Sequence, residues 1–400
     1  MESHRQPMKI IIVSPSLNLL GGAQRACLHA INALKKTNCR IVLATVEKTD
    51  WALVEAVLGD TAEPDEERYL FNKMPEMPIV ALKQALLAVS YALYLFAIKA
   101  QNKRDLMLNM GGEIVDNIGD VVYVNAVPLR LMHLFSGIQP KPGIQWKVYS
   151  RVYSMFLRFF GEAAGVIVAN SKFTQKIIRE FLGKKAVVIN PPVAACKIRS
   201  CAKTEKRENK VVTISRFRSA KGLEVIPKIA SYVRDIGFDV VGIADKDSKQ
   251  CVEKLFEEIK RLGLEKQVSV FRNKHYGFTL AALSTAKVYL HTQKTEAFGM
   301  AIVESMAAGC VPIVPRTGGP WIDILDCQEG KYGFSYRNPA EAAEKIKLLL
   351  HDEKLRSEIS VRAVKRSMVF DSSTFERKLL RIAESVASCE KSTPRGQFSR

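Results

Sequence analysis

The sequence has no CxxC pair among its eight cysteines, Cys27, Cys39, Cys196, Cys201, Cys251, Cys310, Cys327 and Cys389, and several of them fall inside apolar runs. Neither a zinc site nor a disulfide framework is expected from that spacing, and the thiols read as reduced ones in a cytosolic chain. The opening stretch MESHRQPMKIIIVSP lacks the longer apolar core of a secretion signal and offers only a short run that reads as a buried first strand. No RNA-binding or zinc-finger signature is present, so nucleic acid is not expected as a partner. Acidic side chains are in short supply: 41 Asp and Glu stand against 60 Lys and Arg, a net charge of +19. Such a surface suits anionic partners, nucleotide diphosphates and acidic lipids among them. The 400 residues, 47% of them apolar, are ample for two domains with a core each.

The densest chemistry lies in residues 295–320, TEAFGMAIVESMAAGCVPIVPRTGGP. The stretch follows the apolar run KVYLHTQ and includes another, CVPIVP, which gives the order strand, loop, helix, strand. Phe298, Ile302, Val303, Met306 and Ala307 recur at helical spacing and predict a helix packed on a sheet. Glu296 falls in the loop ahead of the first turn, and Glu304 eight positions later falls inside the helix. Gly299 leaves the N–H groups of Gly299, Met300 and Ala301 uncrowded at the positive end of the helix dipole, where a phosphate can sit. Both carboxylates are then available to hydroxyl groups near it. A capped helix in any parallel α/β protein would account for the two acidic residues alone. The Phe-Gly between them, the small-residue turn 306–309 and the pair Gly318 and Gly319 go beyond that.

Two further turns have the same character. After KIIIVSPS, the loop LNLLGGAQRA carries Gly21 and Gly22 ahead of a helical pattern, the opening of a doubly wound sheet. After VVTISRF, Arg216 and Lys221 stand five apart at a strand end and a helix start, and both can project into the crevice beyond the strands. A fixed guanidinium and an ammonium there stabilise a leaving diphosphate without a metal. Asp245, Lys246 and Asp247 form a D-x-D, read here as a solvated loop before a helix rather than a manganese site. No cofactor and no metal are expected.

Two segments bear on membranes. Residues 79–98, IVALKQALLAVSYALYLFAI, hold one charge, Lys83, and read as a buried helix of the first domain or a helix in the membrane interface. A spanning helix would cut the first domain off from its own sheet, because strands follow on the other side. Residues 141–162 interleave Lys141, Lys147, Arg151 and Arg158 with Trp146, Tyr149, Tyr153, Phe156, Phe159 and Phe160, a pattern suited to an anionic lipid surface. The expected location is cytoplasmic and peripheral, at the cytoplasmic membrane face.

On these residues the chain resembles the retaining GT-B glycosyltransferases of family 4, whose signature is two glutamates separated by seven residues. The resemblance runs from Lys9 to about Ser388. It implies an α/β chain of two facing Rossmann-like doubly wound domains with an inter-domain cleft. The expected division is an acceptor-side domain over 1–193, a polar linker over 194–210 and a nucleotide-sugar-binding domain over 211–370. A helix over 371–390 is expected to return to the first domain, ahead of a disordered tail over 391–400. The strings ANSKFT, INPPV and GGPWIDIL resemble the α-mannosyltransferases that extend lipid-linked oligosaccharides from GDP-mannose.

The resemblance implies roles residue by residue. Glu296, Arg216 and Lys221 are the catalytic group, with Glu296 on the sugar ring and the two cations on the diphosphate. Gly21, Gly22, Asn273, Phe298, Gly299, Met300, Ala301 and Glu304 bind substrate, with Glu304 on the ribose and Asn273 shaping the pocket for the base. The implied partners are a nucleotide sugar, a lipid-linked acceptor and an anionic membrane surface. Two positions depart from the pattern: Ala126 stands where many relatives carry a histidine that contacts the donor sugar, and Gln24 where a glutamate is frequent. A catalytically inactive nucleotide-sugar-binding relative, or a basic membrane-surface protein, is the alternative reading.

Overall fold

The computed structural model describes residues 8–58, 63–73, 80–102, 105–112, 118–126, 164–202, 206–245 and 248–392. The basic aromatic segment 141–162, the tail from 393, and Lys246 and Asp247 of the D-x-D lie outside the described residues. The chain divides into two compact units, Met1–Pro192 with Ser373–Arg400, and Val193–Ser372.

In the first unit, β-branched runs form seven parallel strands: β1 (Met8–Val13), β2 (Cys39–Glu47), β3 (Glu66–Phe71), β4 (Leu106–Gly112), β5 (Gly119–Val124), β6 (Ala164–Ala169) and β7 (Val187–Val188). Their order is β3-β2-β1-β4-β5-β6-β7, so the sheet reverses direction between β1 and β4. Alternation along β1 sends Ile10 and Ile12 into one core and Ile11 and Val13 into another, which is why the run reads as continuously apolar. The helix Val80–Gln101 covers the second of these faces with Tyr91, Leu95 and Ile98, while Leu93 and Phe96 stay exposed. Its carboxyl-terminal half is therefore a core helix, tied down by the ion pair of Lys99 with Asp120. Among the described residues no helix is long and apolar enough to cross a membrane. The helix Ser372–Ser392 packs on the other face: Phe375 meets Tyr123 edge on, ring centres 5.7 Å apart, and Glu376 receives Lys36 at 2.6 Å.

The second unit repeats the plan with β8 (Glu208–Ile214), β9 (Gly237–Gly242), β10 (Val268–Arg272), β11 (Ala286–Leu290), β12 (Val311–Pro315) and β13 (Phe334–Tyr336), all parallel, in the order β10-β9-β8-β11-β12-β13. Its direction reverses between β8 and β11. In doubly wound sheets ligands bind beyond the carboxyl ends of the strands at that reversal. Here those ends lead into residues 215–221 and 291–299, so the topology alone brings the two sequence-predicted turns together.

One segment differs from expectation. The stretch 194–210 is not a plain linker: Ala195–Cys201 is a short helix that buries Ala195 and Ile198 in the second unit's core, and β8 already begins at Glu208. The charged run EERYLF is β3, an edge strand whose carboxylates face partners such as Arg40, 2.8 Å from Glu66.

Candidate active site

The loop after β11 is shaped by glycines a chain segment away. A Cβ on Gly319 would lie 2.0 Å from the Ala297 carbonyl oxygen, and one on Gly318, at φ +73°, would lie 2.7 Å from that of Glu296. Only bare backbone fits, and Gly319 uses the proximity to donate its N–H to the Glu296 carbonyl at 2.9 Å. Thr317 adds a hydroxyl hydrogen bond to the Lys294 carbonyl. The pair after β12 thus fixes the backbone that carries Glu296.

Glu296 is met from the β8 side. Lys221, at the end of the short 3-10 turn Ser219–Lys221, places Nζ 2.6 Å from Glu296 Oε2 and 2.5 Å from Gln293 Oε1. The turn is itself held to the β11 loop, because Thr292 donates its hydroxyl to the Lys221 carbonyl at 2.7 Å. Burial pushes the Glu296 carboxyl up, but the Lys221 ammonium, with His291 and Arg216 behind it, outweighs burial and holds it below the ordinary carboxylate value. Glu296 is therefore ionised at neutral pH. Arg216 is exposed just past β8, and the site feels its charge.

The helix Met300–Ala307 starts where the spacing predicts. Gly299 caps it in the left-handed region at φ +99°, and no side chain caps its first turn, which leaves its leading N–H groups for an anion. Met300 and Ala301 lie half-buried in that first turn, and Glu304 is buried one turn on. Burial, then Glu304, then Glu296 raise the Tyr289 phenol, so both carboxylates act on the same buried ring at the end of β11.

Two predicted residues are held by contacts within the fold. The Phe298 ring is buried and packs edge on against Phe370, 5.3 Å between centres, so it anchors the loop in the core. The Asn273 amide is spent on Ala244: its Oδ1 accepts from the Ala244 N–H at 2.8 Å and its Nδ2 donates to the Ala244 carbonyl at 3.0 Å. It braces two loops at φ +54°.

Gly21 and Gly22 belong to the first unit, where Gly21 caps the helix Gly22–Lys35. Gln24 Oε1 accepts from the Gly21 N–H and its Nε2 donates to the Ser16 carbonyl, each at 3.0 Å, so this side chain shapes the glycine turn. Ala126 is exposed past β5, and Asn125 turns its amide back to the Met110 carbonyl at 3.1 Å.

His291 has no part in the sequence reading, yet it stands at the centre of this site. It is buried at the end of β11, with Nε2 3.8 Å from Glu296 Oε2. A lone histidine in the run KVYLHTQ reads as strand; only its place five residues before Glu296 hints at more.

A chain of two doubly wound parallel sheets, the second carrying a Lys–Glu pair and an uncapped helix start at its reversal, has the GT-B fold. Residues 197–366 match the family model described as glycosyl transferases group 1.

Among curated relatives, the GDP-Man:Man(3)GlcNAc(2)-PP-Dol alpha-1,2-mannosyltransferase of Caenorhabditis elegans is 27% identical over 246 residues, 57% of this chain and 52% of that protein. The human enzyme of the same name is 25% identical over 224 residues, 51% of this chain and 44% of that protein. The chain spans about half the length of the curated relatives it matches. Among solved structures, sucrose-phosphate synthase from Thermosynechococcus elongatus superposes over 96% of this chain and 100% of its own with a TM-score of 0.73 at 14% identity. HepE of Anabaena in complex with UDP does so over 94% of this chain and 100% of its own, with a TM-score of 0.69 at 18% identity.

Proposed function

We propose that the chain transfers mannose from GDP-mannose to a lipid-linked oligosaccharide, with retention of configuration and without a metal. The observation that carries the reading is the Lys221–Glu296 contact at the reversal point of a sheet within the stretch that matches the glycosyl transferases group 1 model. The names of the curated relatives support the donor and the acceptor class.

In this reading the diphosphate lies on the first-turn N–H groups from Gly299 to Ala301, with Arg216 and Lys221 on its oxygens. Those charges stabilise the leaving group as the bond from C1 to the phosphate oxygen breaks. Glu304 accepts from the ribose hydroxyls, and Glu296 from hydroxyls of the mannose ring. The acceptor hydroxyl oxygen bonds to C1 from the face the diphosphate leaves, and its proton passes to the departing phosphate. The transition state is oxocarbenium-like, and the ionised Glu296 stabilises it as a fixed negative charge rather than as a nucleophile. The first unit, with the Gly21–Gly22 turn, binds the acceptor. The basic surface, net charge +19, holds the protein peripherally on anionic lipid at the cytoplasmic face.

The test is transfer of labelled sugar from a panel of GDP- and UDP-sugars into lipid extract, with and without chelator, by the parent chain and Glu296→Ala. Chelator-resistant transfer from GDP-mannose, lost in the variant, is the expected outcome; linkage analysis of the product reads retention. Ala126, where the resemblance implies a histidine in many relatives, favours a second reading as a nucleotide-sugar-binding relative without activity. Binding of GDP-mannose with no transfer would select it.

A further inference from the structure

Among the described residues, the buried side-chain atoms without a hydrogen-bond partner are Thr49 Oγ1 and His291 Nε2. The second lies in the site. His291 is only 7% exposed, and its backbone is held on both sides: its N–H donates to the Ile313 carbonyl at 2.9 Å, and its carbonyl accepts from the Tyr336 hydroxyl at 2.8 Å. From this fixed mount Nε2 stands 3.8 Å from Glu296 Oε2, beyond hydrogen-bond range, while Lys221 Nζ sits on that same oxygen at 2.6 Å. A buried polar nitrogen is expensive to leave unpaired, and such an orphan calls for a partner in another state of the site.

Lys221 has two claims on it: the carboxylate it touches here and the diphosphate assigned to it above. When the ammonium turns to phosphate, Glu296 Oε2 loses its short partner while its charge stays buried. The geometry points to His291 as the positioning residue that then holds Glu296, its imidazole neutral and protonated on Nε2, closing the gap and donating to Oε2. This inference rests on the reading of Lys221 as a diphosphate ligand. Burial, the largest influence, and Lys221 push the His291 imidazolium down to about 4 against the pull of Glu296, so the ring is neutral in ordinary buffers. A neutral donor fixes the carboxylate in place without cancelling the negative charge that the sugar's transition state needs.

The experiment uses the full chain as parent, His291→Gln, His291→Leu and Lys221→Met, with GDP as the probe. Imidazole nitrogen NMR is expected to find the His291 proton on Nε2, with its resonance moving downfield when GDP saturates the parent. In Lys221→Met it should already lie downfield without GDP. His291→Leu should lower kcat roughly 10- to 100-fold, the loss of one hydrogen bond to a charged group, with GDP affinity kept within about twofold. His291→Gln, which retains an N–H donor at the reach of Nε2, should recover most of the rate. A proton on Nδ1, a resonance indifferent to both GDP and Lys221→Met, or a His291→Gln variant as slow as His291→Leu would overturn the inference. A parent that binds no GDP would remove the diphosphate reading instead, and the Lys221→Met resonance would still decide the His291 contact.

Discussion

Lys221 and Glu296 are 75 positions apart in the chain, and Nζ of the first lies 2.6 Å from Oε2 of the second. Their side chains are 21% and 17% exposed, so the contact is screened by little water. In the reading proposed above, the ammonium assigned to the leaving diphosphate is thus already engaged by the carboxylate assigned to the sugar. Phosphate and carboxylate would then compete for one cation, and the donor would have to loosen the pair to bind.

Glu296→Gln should therefore separate catalysis from nucleotide affinity. Transfer is expected to fall about 10²- to 10³-fold, the scale of losing one fixed electrostatic partner of the transition state. GDP affinity, read by titration calorimetry, should hold or tighten, because Lys221 no longer shares itself with a carboxylate. Weaker GDP binding would show that Glu296 presents Lys221 to the phosphate rather than competing for it.

Gly319→Ala and Gly263→Ala should differ in activity more than in stability. A methyl on Gly319 meets the Ala297 carbonyl oxygen at 2.0 Å, so the backbone carrying Glu296 has to move; overpacking of this kind costs about 1–3 kcal/mol. At Gly263, with φ +64° and nothing within 4 Å, the change costs only the left-handed strain, about 1–2 kcal/mol. Urea midpoints should fall in both variants, while transfer should collapse only in Gly319→Ala. Equal loss of transfer in both would detach the glycine pair from the site.

Gln24→Glu tests the turn in the first unit. The carboxylate can still accept from the Gly21 N–H, but it loses the donor to the Ser16 carbonyl and sets a negative charge against that oxygen. Stability should fall by about 1–3 kcal/mol, the cost of an unsatisfied buried acceptor, and amide exchange at Gly21 should quicken. An unchanged urea midpoint would mean that the turn stands without Gln24.

What the sequence makes legible follows burial. β8, β11 and β12 lie in sheets covered on both faces and read as apolar runs, and the helix Met300–Ala307 reads by its period. β3 does not, because an edge strand keeps its charges: EERYLF looks like loop until Val42 and Leu43 are found paired with Glu66 and Glu67. The helix Ala195–Cys201 has too few turns for a period to show. In the site, Glu296, Arg216 and Lys221 stand out because their residue types and turns are unusual together. His291 does not, since its meaning depends on Glu296 folding back under it and on Lys221 arriving from another strand. Phe298 and Asn273 sit within the right stretches, and only tertiary contacts show that one ring fills the core and one amide braces a loop.

His291 also gives stability a pH dependence whose sign is fixed. An unfolded histidine titrates near about 6.5, whereas in the folded chain burial and Lys221 push this one down to about 4. Between those values the unfolded chain binds a proton that the folded chain does not, so stability is lost as pH falls through the window, by up to roughly 3 kcal/mol. Glu296 acts lower down. Its carboxyl is held below the ordinary value, so its contribution is present above the unfolded carboxylate range and fades only as pH falls through its lowered value. Urea midpoints for the parent and His291→Gln, compared between about pH 7 and pH 4, separate the two. The parent curve should slope downward through the window while the variant stays nearly flat until the carboxylate range. Parallel curves would mean that the folded imidazole takes up its proton as readily as the unfolded one, and Glu296 would then face an imidazolium instead of a neutral donor.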